Sequence, residues 1–151
     1  MKEQSQLFAP LIRHENSIIE SYQQLSDQAA QSNIQYFLRL FIRGHQEIIK
    51  MMKAFGKEGQ KVSFAQRETL LPIEATQHLV IDDHIDVNSL QSVLLHIAKA
   101  EEQSLEEFSA LMGEIKERKA REFLEKVRNE KTSMTTQADR LYHDMIESKI
   151  S

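Results

Sequence analysis

Cysteine is absent from the 151 residues, proline occurs twice and glycine four times. Without thiols the chain can form no disulfide, zinc ribbon, iron–sulfur cluster or rubredoxin-like module. Any electron donor to a redox centre here would be an external one, a separate molecule. No apolar run approaches the roughly 20 residues that span a bilayer, and the opening MKEQSQLFAPLIRHENS has no uninterrupted apolar core of the signal-peptide kind. The expectation is a soluble cytoplasmic protein. Positive charge is not in excess either: 19 Lys and Arg against 23 Asp and Glu give a formal charge of −4. With the signs interspersed, neither nucleic acid nor an anionic membrane is an expected partner. The length suits a single domain, 1–151, with a real core.

The few breakers divide the chain into long helical runs. Gly56 and Gly59 follow the second run, Pro72 falls in the least periodic stretch and Gly113 closes the third. Apolar stripes predict helices near 9–29, 33–55, 89–112 and 117–146, with Asn88 or Ser89 capping the third. The first and third links are a few residues long, so each joins antiparallel neighbours. The middle link, about 57–87, is long enough to return along a bundle roughly 35 Å tall. Within it Val62-Ser63-Phe64 and Leu79-Val80-Ile81 are expected over the bundle, and Asp82-Asp83-His84 in a solvated turn. The fold class is therefore all-α: a four-helix bundle of two hairpins joined by a long crossover.

The two hairpins repeat at a constant offset. Glu15, Tyr22, Phe37 and Leu38 recur 86 residues later as Glu101, Phe108, Phe123 and Leu124. Leu11, Ile12, Ile19 and Leu25 recur as Ile97, Ala98, Leu105 and Leu111, and Phe41, Gly44 and Glu47 as Val127, Glu130 and Ser133.

Three acids stand inside apolar stripes at three- or four-residue steps. Glu15 lies between Ile12 and Ile19, Glu101 between Ile97 and Leu105, and Glu130 between Val127 and Met134. Glu47 joins them if Leu40, Gly44 and Met51 line the core; otherwise it is a solvated acid beside Lys50 and Lys53. One inward acid per helix makes a carboxylate cluster. Burying such a cluster costs several kcal/mol unless a cation or donor accompanies it. Arg43, Arg128 and Lys131 are read as rotated about 100° off the inner face. A divalent metal, or protonation of the acids, is then left to balance the charge.

On these residues the chain resembles the rubrerythrin branch of the ferritin-like superfamily. Its pattern is Glu on the first helix, Glu-x-x-His on the second, Glu on the third and Glu-x-x-His on the fourth, around two iron or manganese ions. Glu15, Glu101 and Glu130 match it. Gly44 stands in place of the second-helix Glu, Glu47 in place of its His, and Ser133 in place of the fourth-helix His. The resemblance implies a metal-binding protein in oxidative-stress or metal handling, with Glu15, Glu47, Glu101 and Glu130 as metal ligands. An all-oxygen set suits Mn²⁺, Mg²⁺ or Ca²⁺, or a single iron, better than a redox-cycling di-iron pair. With three of six ligand positions replaced, an oxidoreductase activity stays open. The alternative is a bundle that has lost the metal and acts as an interaction or regulatory module.

The other candidates have plainer readings. His14 and His45 adjoin inward positions and become ligands only if the helix phases shift. His96 and His143 lack ligand spacing, and His78 and His84 fall in the crossover. Tyr22 is a core aromatic that can also hydrogen-bond a ligand carboxylate. Tyr36, Ile42, Ile49 and Met52 make the second helix apolar beyond its inner stripe, which suggests crossover packing or a homodimer interface.

Overall fold

The computed structural model describes residues 7–58 and 85–150. Four helices make up these residues: α1 (Ala9–Gln28), α2 (Ser32–Glu58), α3 (Leu90–Met112) and α4 (Arg118–Ile150). There is no strand among the described residues. Expectations for Gly59, Val62-Ser63-Phe64, Pro72, His78, Leu79-Val80-Ile81 and Asp82-Asp83-His84 lie outside the described residues.

The ends follow local chemistry. Pro10 opens α1, where its missing N–H costs nothing. The turn into α2 is closed by Gln35, whose Nε2 donates to the Ala29 carbonyl at 2.8 Å. Ser89 caps α3, its Oγ accepting from the Ser92 N–H at 3.2 Å. Glu117 does the same for α4, accepting from the Ala120 N–H at 2.8 Å. Arg121 covers the end of α3 by donating to the Met112 and Ile115 carbonyls at 3.3 and 3.1 Å. Two ends differ from expectation: α2 continues through Gly56 and α4 continues to Ile150. A single glycine costs a helix only about 1 kcal/mol.

Within each hairpin the helices pack along their length, α1 on α2 and α3 on α4, and the hairpins meet face to face. The apolar core forms two clusters. One gathers the start of α1, the end of α2, the end of α3 and the start of α4, and holds Phe8, Phe55, Phe108 and Phe123. Phe55 and Phe123 stack at 4.7 Å between ring centroids, and Phe8 stacks on Phe123 at 5.7 Å. The other cluster gathers Leu25 and Tyr22 of α1, Ile34 and Leu38 of α2, Val93 and Leu94 of α3, and Ala138 of α4. Between the two lies a layer of buried polar side chains.

Candidate functional site

Seven side chains from all four helices form one hydrogen-bonded chain through that layer. It starts at Tyr22, whose hydroxyl donates to Glu101 Oε2 at 2.7 Å. The same oxygen faces His45 Nε2 at 2.7 Å, and His45 Nδ1 faces Glu15 Oε1 at 2.5 Å. The other Glu15 oxygen, Oε2, accepts from Lys131 Nζ at 2.6 Å. Lys131 also donates to Ser104 Oγ at 2.8 Å, and Ser104 lies 3.1 Å from His14 Nε2. Glu15 and His45 are 0% exposed, Glu101 and Lys131 1%. Phe108 closes the lysine side, with its ring centroid 5.3 Å from Nζ.

Protonation follows from who faces whom. Both His45 nitrogens point at carboxylate oxygens, an arrangement that suits a doubly protonated ring donating twice. Burial pulls its pKa down, but the charges of Glu101 and Glu15 outweigh this and raise it to about 9. Burial pushes the Glu15 carboxyl up, yet Lys131 and His45 together hold it well below the usual carboxylate range. His14 goes the other way, lowered to about 4 mainly by burial. Its neutral Nε2 can then accept from Ser104, whose own oxygen already accepts from Lys131. Burial, with Glu101 beside it, keeps the Tyr22 phenol protonated far above its ordinary value. Two carboxylates therefore meet two cations, and the layer is electrically balanced.

The repeat extends to this chemistry. The 86-residue step that relates Glu15 to Glu101 also relates His45 to Lys131 and Tyr22 to Phe108. Odd helices supply an acid, even helices a base, and each hairpin adds one aromatic ring.

Of the four acids expected inside, the structure brings together Glu15 and Glu101. Glu47 and Glu130 are on the outside: the Glu47 side chain is 56% exposed, beside Lys50 at 3.4 Å, and Glu130 is exposed on α4. The expected inward phase of Glu130, and the placing of Lys131 off the inner face, are both corrected. Each residue stands three or four positions from Val127 and Met134, so short steps cannot separate them. The seven-residue step does, because Leu124, Lys131 and Ala138 are all within 1% of full burial. On α2 the same step joins Leu38, His45 and Met52, each 0% exposed. His45 and Lys131 were thus legible once a charged residue was allowed onto an apolar stripe. Ser104 carried no signal in the sequence, since one serine at a helical step resembles any other.

Gly44 and Ser133 also differ from the resemblance. Ser133 is exposed. A Cβ at Gly44 would lie 2.6 Å from Met134 Cε, so the thioether fills the space that an acid would need there. Among the described residues no group of three or more His, Asp and Glu side chains is set to hold a metal ion. A two-metal centre does not fit these residues, because Lys131 and His45 already take both Glu15 oxygens and Glu101 Oε2. Family models, curated proteins and solved structures were all compared with the chain. None matches it. No helix among the described residues is long and apolar enough to cross a membrane.

Proposed function

We propose that this chain is a ferritin-like bundle, related to the rubrerythrin branch, whose centre is neutralised by its own side chains. It works as a metal-independent interaction or regulatory module, not as an oxidoreductase. The observation that carries this reading is Lys131 Nζ at 2.6 Å from Glu15 Oε2, fully buried. With His45 between the two acids, it supplies the positive charge for which a metal would otherwise be needed. Two features support the ferritin-like arrangement. The acids and bases recur at one offset, and α2 ends in the phenylalanine cluster whereas α3 starts in the opposite one.

The test is elemental analysis of protein purified without chelator, together with melting in EDTA. The reading predicts no stoichiometric metal and an unchanged melting temperature. A divalent ion near one per chain, lost in Glu15→Ala or Glu101→Ala, would restore the metal-binding reading with iron, manganese, magnesium or calcium at this layer. Contact with a second copy rests on Tyr36, which is 61% exposed. Ile42, Ile49 and Met52, which shared that expectation, are buried in the chain's own core. A homodimer through this face predicts a doubled solution mass that Tyr36→Glu returns to the monomer value.

A further inference from the structure

We propose that the pocket around the Lys131 ammonium is a binding site for a small primary ammonium ion, filled in cis by the lysine. The inference rests on the metal-independent reading above and names the cation class that this layer selects.

Three features of the pocket define that class. Its acceptors are Glu15 Oε2 and Ser104 Oγ, at 2.6 and 2.8 Å from Nζ. Both accept hydrogen bonds from Nζ, which a primary ammonium can reproduce and a quaternary amine cannot. Phe108 presents its ring 5.3 Å from the charge, a surface that attracts a weakly hydrated monovalent cation. Charge arithmetic selects the valence. Removing the Lys131 charge leaves two carboxylates and one protonated imidazole, a net −1. One positive charge restores balance; a divalent ion would overshoot unless His45 gave up its proton and a hydrogen bond to an acid. Ser104 carries no charge, so it cannot restore the balance alone.

Lys131→Ala keeps Cβ and removes the equivalent of propylammonium, which sets the probe. Cavities left by truncation in a packed core admit small molecules of the deleted shape. Melting of Lys131→Ala is measured in propylammonium chloride, sodium chloride of equal ionic strength, tetramethylammonium chloride, 1-propanol, and manganese or zinc chloride. The expected result is a rise of about 3 °C or more in propylammonium over sodium at saturation, with wild type and Lys131→Met unmoved. Equal stabilisation by 1-propanol would make the pocket merely apolar and overturn the proposal. Equal stabilisation by tetramethylammonium or sodium would reduce it to screening, and stronger stabilisation by Mn²⁺ or Zn²⁺ would make it a metal site; either result overturns it.

If Lys131→Ala does not fold alone, the readout becomes recovery of helical circular dichroism on refolding in propylammonium. Recovery supports the site, and recovery only in sodium overturns it. Failure of the underlying reading shows separately, as a fall in the wild-type melting temperature on adding EDTA. That arm contains no propylammonium.

Discussion

At the scale of single residues, burial decides which charges matter. Glu47 and Glu130 face water, where an acid contributes little, so Glu47→Ala and Glu130→Ala should change unfolding free energy by no more than about 0.5 kcal/mol. Lys131→Met leaves Glu15 with one of its two cations gone inside the core. Breaking a buried pair in this way costs about 3–5 kcal/mol, and urea titration of the three variants side by side checks the contrast. Tyr22→Phe removes a hydrogen bond to a buried carboxylate and should lower stability by about 1.5–3 kcal/mol, with no change in the slope against urea. Equal losses in Glu130→Ala and Lys131→Met would mean that the phase of α4 is not the one described.

At the scale of helices, coupling between elements becomes measurable. Glu15 on α1 and Lys131 on α4 meet only through their side-chain tips, since the two backbones make no close approach. A cycle of Glu15→Gln, Lys131→Met and the double variant should give an interaction energy of about 0.5–3 kcal/mol, the double costing less than the sum of the singles. Ser89→Ala should cost about 1 kcal/mol through the lost cap of α3. Helix existence and the hairpin links were legible because stripes of Ile, Leu and Phe recur at helical steps over 20 residues or more. Rotation about each axis was harder. Glu15 and Glu101 read correctly because buried apolar residues also stand seven positions away on both sides, Phe8 and Tyr22 for the first, Leu94 and Phe108 for the second. Lys131 did not, because a lysine among glutamate, arginine and asparagine looks like part of a solvated face until the partner acid on another helix is known. The Ser89 cap needed only local chemistry, so it was readable.

For the whole molecule, the two buried histidines oppose each other in their response to pH. His14 is lowered in the fold from 6.5 to about 4. Its contribution is complete above pH 6.5 and is lost as pH falls toward 4, because the unfolded chain then binds the extra proton. His45 is raised from 6.5 to about 9, so its contribution is complete below pH 6.5 and is lost as pH rises through 9. Glu15, depressed in the fold, adds a loss below its ordinary range. Melting temperature against pH should therefore peak near 6.5, with His14→Asn flattening the acid side and His45→Asn the alkaline side. A flat profile from pH 5 to 9 would contradict the charge states assigned to the layer. The mid-bundle position of this layer, with hydrocarbon above and below it on all four helices, also fixes how the rods can slide. Moving any one of them by a turn, about 5.4 Å, would carry an ionised tip out of reach of its mate and strand it against leucine and phenylalanine. The plane of charge thus behaves like a key in a keyway, admitting one axial alignment of four otherwise greasy cylinders.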